Sequence, residues 1–178
     1  MDNDGLLVIA TSAALLGFYT WFLSKQVAAA EGPRRRLTSG EVRAIVDRLN
    51  ASDFGGFFTP AHVVAVAAIE SSFDPDAVRY EAHLDDSSIG LMQVLSSTAA
   101  DRGYTGPPSG LFDTELNILI GMRHLKWSWD YLARRMGRNP TLDEWIGSYN
   151  AGVGNVAGKG WWSAGYVQKW REAVERYS

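Results

Sequence analysis

A segment that is apolar on nearly every side constrains the fold of this chain more than any other feature. The sequence AHVVAVAAIE begins directly after Thr59-Pro60 and ends at Glu70. A threonine N-cap followed by proline at the first helical position is typical of a helix start, which predicts a helix from there to Glu70 or Ser72. Because Ala and Val fill most of its positions, we expect other elements to cover this helix on almost all sides.

These covering elements are predicted to be helices as well. Thr38 with Glu41 and Thr141 with Glu144 have the spacing of capping boxes. Strand patterns are weak, although the loop at 74–88 can form a small hairpin. The fold class predicted is therefore mainly α. The predicted helices are residues 38–50, 59–72, 90–100, 114–136, 141–150 and 164–177.

Charge and composition exclude several classes of function. The net charge of −3 gives no electrostatic surface for nucleic acid, and the absence of cysteine excludes disulfides and thiolate metal sites. The three histidines, His62, His83 and His124, lack the spacing of metal ligands, so a histidine-based metal site is not predicted. Seven tryptophans and seven tyrosines suit core packing and also stacking on sugar rings.

Residues 5–23 form an uncharged, mostly apolar run with the length of a membrane-spanning helix, roughly 28 Å at 1.5 Å per residue. Aromatic residues crowd its C-terminal end, as at a membrane interface. The alternative is a signal peptide, either uncleaved or cleaved after the small residues Ala28-Ala29-Ala30. The predicted parts of the chain are a transmembrane anchor at 1–26, a linker at 27–37 and a folded domain at 38–178.

Glu70 interrupts the apolar pattern at the end of its helix. A carboxylate in such surroundings is costly unless it is neutral or paired, and a raised pKa is what a general acid needs near neutral pH. Taken alone, a glutamate at a helix end more often points into solvent. Its standing as a candidate therefore depends on the segments that follow it.

Four further short segments follow the one that begins at Glu70. Each is weak alone, but in this order and spacing the set resembles the soluble lytic transglycosylase family, whose fold is lysozyme-like and mainly helical. The resemblance extends from about Pro60 to Tyr177. The segments are Glu70-Ser71-Ser72-Phe73-Asp74-Pro75-Asp76-Ala77, Gly90-Leu91-Met92-Gln93, Asp113-x-x-x-Asn117-Ile118-x-x-Gly121, Ser148-Tyr149-Asn150-Ala151-Gly152-x-Gly154 and Tyr166-Val167-x-Lys169.

The resemblance implies that the chain cleaves the glycan strands of peptidoglycan without hydrolysis. Glu70 would protonate the glycosidic oxygen of the β-1,4 bond between N-acetylmuramic acid and N-acetylglucosamine. Its carboxylate would then take the proton from the muramoyl C6 hydroxyl as that oxygen attacks C1, which leaves a 1,6-anhydromuramoyl end. One carboxylate suffices for this reaction, whereas ordinary glycosidases use two. The resemblance implies no metal and no organic cofactor.

Residues of the same segments are predicted to contact the glycan. A hydroxyl often lies shortly before the GLMQ segment in relatives, and both Ser87 and Ser88 are candidates here. Asn117 is instead expected to be a buried structural hydrogen-bonding residue, and Gly152 and Gly154 are expected to form a tight turn. The other predicted substrate-binding residues are Ser71, Met92, Gln93, Tyr149, Asn150 and Tyr166.

The stretch between Glu70 and Gly90 is longer than is usual in the family and keeps two alternatives open. It carries Asp85 and Asp86, and a second carboxylate opposite Glu70 could activate water, as in a goose-lysozyme-like hydrolase. The other alternative is a non-catalytic peptidoglycan-binding module that keeps the fold.

Trp161 and Trp162 are adjacent in a glycine-rich loop. Core packing is the favoured interpretation of each, with stacking on a sugar by one of them as the alternative.

Peptidoglycan as substrate implies a domain that faces the cell wall on the periplasmic side of the inner membrane. Components of a secretion machine or of a virion are predicted as further partners. The charges around residues 5–23 disagree with this orientation, because Asp2 and Asp4 precede the segment and Lys25 and the arginines at 34–36 follow it. The positive-inside rule would keep the domain in the cytoplasm. The sequence leaves open whether the rule fails here or the chain inserts differently, for example into a phage particle's membrane.

Overall fold

A computed structural model describes residues 34–178, which form a mainly helical fold with one small antiparallel sheet. The predicted mainly α class is confirmed for these residues. The strands are β1 (Val78–Glu81), β2 (Asp86–Ile89) and β3 (Val94–Leu95), paired in that order. The helices are α1 (Ser39–Asp53), α2 (Pro60–Ser71), α3 (Ser96–Asp101), α4 (Thr114–Met136), α5 (Leu142–Ala151), α6 (Val153–Lys159) and α7 (Ala164–Tyr177), with a 3₁₀ turn at Pro108–Phe112.

The predicted membrane segment, residues 5–23, lies outside the described residues, as does most of the predicted linker. Among residues 34–178, no helix is both long enough and apolar enough to cross a membrane. Residues 34–37 have no regular structure but contact the domain. The Arg34 backbone N–H and its Nε each donate to the Asp76 carboxylate at 2.8 Å, and the Leu37 N–H donates to the Phe73 carbonyl oxygen at 3.0 Å.

Helix α2 lies in the centre of the fold, as its composition predicts. Its residues from Val63 to Ala67 are all fully buried, and α1 and α7 pack against it. Thr59 occupies the N-cap position, although its side chain makes no capping hydrogen bond, and Pro60 is the first helical residue. The helix ends at Ser71 because the next two residues, Ser72 and Phe73, adopt left-handed conformations with φ of 55° and 62°. Glu70 therefore lies in the last turn of a helix whose middle is the core.

The predicted helix at 90–100 is wrong in its first half. Gly90 and Gln93 have positive φ values of 73° and 47°, which a right-handed helix does not allow. The chain instead makes a turn, enters β3, and becomes helical only at Ser96. The predicted hairpin in the loop before it is confirmed as β1 and β2, with Val78 opposite Ile89 and Glu81 opposite Asp86.

Asn117 fixes the turn that replaces that helix. Its side chain is 1% exposed, and its Oδ1 accepts the Met92 N–H at 2.8 Å. Its Nδ2 donates to the carbonyl oxygens of Ile89 at 2.8 Å and Leu111 at 2.9 Å. A Cβ on Gly90 would lie 2.6 Å from the same Nδ2, so only glycine fits beside the amide. Asn117 is thus a structural hydrogen-bonding residue, as predicted.

The capping predictions are confirmed, and one helix was missed. Both predicted capping boxes are present, at Thr38 with Glu41 and at Thr141 with Glu144. The tight turn predicted at 152–154 is wrong, because Gly152, with φ of 81°, leads directly into α6. That helix continues to Lys159, so Gly154 is helical.

Replacing Asn117 with alanine is expected to lower the free energy of unfolding by about 3 to 5 kcal/mol. The change leaves one buried N–H and two buried carbonyl groups without their partner, and each such loss costs about 1 to 3 kcal/mol. Urea unfolding monitored by tryptophan fluorescence measures the effect. Asn139→Ala, at an exposed position, is the matched control and should change stability by less than about 0.5 kcal/mol. Equal losses in the two variants would contradict the role given to Asn117.

Candidate active site

Glu70 is placed by α2 and contacted from α7. The hydroxyl of Tyr166, in the first turn of α7, donates to Glu70 Oε1 at 2.6 Å. Ser163 caps this helix by accepting the Tyr166 N–H at 3.3 Å, which fixes the backbone that carries the tyrosine. Glu70 is partly exposed as a residue, although burial is the main influence on the pKa of its carboxyl group.

The protein raises the pKa of Glu70 above its ordinary value. Burial is the largest cause because it disfavours the charged form, and the negative charge of Glu81 acts in the same direction. The Tyr166 hydrogen bond and the positive charge of Arg79 act against the rise but do not cancel it. A carboxyl group of this kind can carry a proton closer to neutral pH and deliver it as a general acid.

Tyr149 lies beside this carboxyl group without bonding it. Its hydroxyl donates to the Met92 carbonyl oxygen at 2.7 Å, and burial together with the charge of Glu70 raises the pKa of Tyr149 well above its ordinary value. The ring of Tyr149 meets the ring of His124 edge to face, with 5.5 Å between centroids. Burial lowers the pKa of His124 to about 4, so this supporting ring is neutral at physiological pH.

Three other predicted site residues belong to the turn at 90–93 or bond to its backbone. Ser71 Oγ donates to the Leu91 carbonyl oxygen at 2.8 Å. Gln93 Nε2 donates to the carbonyl oxygens of Ala77 and Gly90 at 3.1 and 3.0 Å. The Met92 side chain is fully buried and packs against Gly121, where a Cβ would lie 2.9 Å from it. These side chains hold the turn in place. Ser71 and Gln93 are partly exposed, whereas Met92 is buried.

The predicted residues Asn150, Ser87 and Ser88 have different surroundings. Asn150 is exposed on the last turn of α5. Ser87 is partly exposed and lies opposite Tyr80 in the sheet, whereas Ser88 is 3% exposed and lies opposite Arg79. Ser88 Oγ donates to Glu81 Oε1 at 3.3 Å, so it is the serine that joins the group of polar residues near Glu70.

The structure brings neither of the two predicted aspartates to Glu70. Asp85 is exposed at the hairpin tip, where it accepts a hydrogen bond from the Tyr80 hydroxyl. Asp86 is used at the start of α3, since its Oδ2 accepts from the Ser97 N–H at 2.9 Å and from Ser97 Oγ at 2.6 Å. Both carboxylates therefore have partners away from the candidate acid.

Glu81 is the carboxylate that sequence reasoning missed. It is the one whose charge acts on Glu70, and Arg79 on the same strand supplies the opposing charge. The sequence feature that indicates Glu81 is the alternation of a strand, in which residues two positions apart lie on the same face. Recognising β1 as a strand would have placed Arg79 and Glu81 together.

The two adjacent tryptophans separate into different environments. Trp162 packs against α5, where a Cβ on Gly147 would lie 2.6 Å from Trp162 Cβ. Trp161 is 56% exposed, so the core-packing interpretation is wrong for Trp161. An exposed indole ring is available for stacking on a sugar.

A groove of about 380 Å³ lies between the end of α2 and α7, lined by residues that include Ile69 and Lys169. Neither Glu70 nor Tyr166 lines it, so it does not coincide with the candidate acid.

Comparisons with known proteins identify relatives of this chain. A sequence model of the family described as "Transglycosylase SLT domain" matches residues 58–163, more than half of the chain. The curated relatives include membrane-bound lytic murein transglycosylase C of Actinobacillus pleuropneumoniae from serotype 5b (strain L20), serotype 3 (strain JL03) and serotype 7 (strain AP76), each 33% identical over 106 residues. The match covers 54% of this chain and 27% of each relative, so it spans about a quarter of the relatives' length.

Glu70→Gln is expected to stabilise the protein more at pH 8 than at pH 4. The folded-state pKa of Glu70 lies above its unfolded value, so the folded state binds the proton more tightly. As pH rises above about 4.3, the unfolded value, the native protein loses stability until the folded pKa is passed. Glutamine carries no such penalty and still accepts the Tyr166 hydrogen bond.

Thermal unfolding of both proteins across this pH range measures the difference. Glu175→Gln, at an exposed position of α7, is the control and should give a pH-independent difference. A Glu70→Gln advantage that stays constant from pH 4 to pH 8 would disprove the raised pKa.

Proposed function

Because the chain belongs to the transglycosylase SLT domain family, whose sequence model covers residues 58–163, we propose that it is a lytic transglycosylase acting on peptidoglycan. It cleaves the β-1,4 bond between N-acetylmuramic acid and N-acetylglucosamine and leaves a 1,6-anhydromuramoyl end. The observation that carries this proposal is a partly exposed residue, Glu70, whose carboxyl pKa is raised by burial and whose Oε1 accepts a 2.6 Å hydrogen bond from Tyr166.

Glu70 acts in two steps. The neutral carboxyl group donates its proton to the glycosidic oxygen as the bond to C1 breaks, and the carboxylate that results takes the proton of the C6 hydroxyl as its oxygen bonds to C1. The proton count on Glu70 is restored, and no water is consumed. The Tyr166 hydroxyl stabilises the intermediate carboxylate, because a hydrogen bond to the charged form favours that form.

The same site keeps hydrolysis as a second candidate reaction. Glu81 carries a carboxylate whose charge acts on Glu70, and a second carboxylate that activates water produces a reducing end instead of an anhydro end. Asp85 and Asp86 bond to Tyr80 and Ser97, so Glu81 is the candidate for the second carboxylate of a hydrolase. The products of the reaction distinguish the two.

The proposed location is the cell-wall side of a membrane, with residues 5–23 as the anchor. The apolar run at those positions supports it, and so does the description of the relatives as membrane-bound. Attachment to a virion membrane, and partners in a virion or secretion machine, stay predictions from the sequence.

Glu70→Gln is expected to reduce the release of muropeptides from purified peptidoglycan by about 10²- to 10⁴-fold, the usual contribution of one acid–base group. Mass spectrometry of the wild-type digest should show products one water lighter than the hydrolysis products. Reducing ends would support the hydrolase instead. If the wild-type protein binds peptidoglycan but releases nothing, the binding-module alternative is correct.

Trp161→Ala is expected to weaken retention on peptidoglycan by about 2- to 10-fold through the loss of one stacking surface, with little change in stability. Trp162→Ala should lower the free energy of unfolding by about 1 to 3 kcal/mol because its ring packs against Gly147. Cosedimentation with peptidoglycan and urea unfolding of both variants separate the two effects. Equal retention of Trp161→Ala and wild type would remove Trp161 from the binding surface.

A further inference from the structure

Strand β1 carries an ion pair whose two charges act on the pKa of Glu70. Arg79 Nε donates to Glu81 Oε1 at 2.5 Å, and the two side chains lie on the same face because they are two positions apart. Glu81 is only 18% exposed at its side chain, whereas Arg79 is 64% exposed. Tyr80 between them points to the other face and is 56% exposed.

Glu81 is fixed more firmly than a surface carboxylate. Its Oε1 also accepts from Ser88 Oγ at 3.3 Å, and Ser88 is 3% exposed in the neighbouring strand. Strand β2 leads directly into the turn whose Leu91 carbonyl accepts from Ser71 Oγ at 2.8 Å, one residue beyond Glu70. The sheet and the last turn of α2 are therefore joined close to the candidate acid.

The groups facing Glu70 come from three elements. Tyr166 on α7 bonds its carboxyl group, Tyr149 on α5 lies beside it, and Arg79 and Glu81 on β1 act on it through their charges. Both tyrosines are neutral at physiological pH because their pKa values are raised well above the ordinary value. Both members of the β1 ion pair thus shift the pKa of Glu70, in opposite directions.

We propose that Arg79 and Glu81 are positioning residues that control the protonation of Glu70 from strand β1. Glu81 favours the neutral acid that starts the reaction, and Arg79 favours the carboxylate that exists after the first proton transfer. This assignment rests on the proposed function, in which Glu70 is needed in both forms. A like charge and an opposite charge near one carboxyl group keep the two forms closer in energy than either charge alone would.

The proposal predicts opposite effects for the two single variants. Glu81→Gln is expected to lower the pKa of Glu70 by about 0.5 to 1 unit, and Arg79→Gln to raise it by a similar amount, the size expected for one partly screened charge. The double variant should return close to the wild-type value. The alkaline limb of the pH–activity profile should move in the same directions, because cleavage is lost as pH rises through the pKa of the acid.

The pKa of Glu70 is measured by NMR titration of ¹³C-labelled glutamate side chains in the full chain, solubilised in detergent micelles. The Glu70 resonance is assigned by its loss in Glu70→Gln. Glu175→Gln and Arg134→Gln, both at exposed helical positions, make the same chemical changes elsewhere and should leave the titration unchanged. Peptidoglycan cleavage is measured in parallel from pH 4 to pH 9.

Shifts of opposite sign in the two single variants support the proposal, even if no anhydro ends appear, in which case only the proposed function fails. Shifts of the same sign, or none, overturn it. Loss of cleavage at every pH in Glu81→Gln with an unchanged Glu70 titration also overturns it, because Glu81 then takes part directly in the chemistry. If Glu81→Gln does not fold, Arg79→Gln still tests the proposal, because the titration can contradict the expected rise in the pKa of Glu70.

Discussion

The side-chain amide of Asn117 is the contact on which the geometry around Glu70 depends. It bonds backbone groups on both sides of Gly90, at Ile89 and Met92, and a third at Leu111, and so fixes the turn at 90–93. The same turn provides the carbonyl oxygens of Leu91 and Met92, which accept hydrogen bonds from the hydroxyl groups of Ser71 and Tyr149. A residue buried far from solvent thereby aligns the end of α2 with α5. The three hydrogen bonds offset the cost of burying a polar amide, because each of its partners is a buried backbone group that also needs a hydrogen bond.

Local sequence predicts those parts of the fold whose boundaries are set by local contacts. Capping boxes, the proline at the start of α2 and Gly137 after α4 mark helix ends through groups within a few positions in the chain. The segment at 90–95 could not be predicted in this way. Its apolar residues suit a helix, but its backbone is fixed by Asn117, whose position in sequence is remote and whose influence is purely tertiary.

The residues of the candidate site also differ in whether local sequence predicts them. Glu70, Tyr149 and Tyr166 lie in segments of distinctive sequence, and the structure brings them together. Asp85 and Asp86 were chosen because they are carboxylates in the right loop, but which way a loop residue points depends on strand register. Once β1 pairs with β2, Glu81 is directed to the same side as Arg79, and Asp86 is left to cap α3. Glu81 and Asp86 lie opposite each other in the sheet, but the Asp86 carboxylate is held by Ser97 at the start of α3.

The left-handed backbone at Ser72 and Phe73, just after Glu70, has a mechanical consequence. Such conformations cost about 1 to 3 kcal/mol each in non-glycine residues and persist only where neighbours compensate for them. Phe73 is buried and its ring meets that of Tyr177 edge to face, 5.4 Å between centroids. Tyr177 and Tyr166 belong to the same helix, roughly 16 Å apart along its axis. Helix α7 therefore holds the end of α2 at two points, so a displacement of α7 would move the Tyr166 hydroxyl and the packing of Phe73 together.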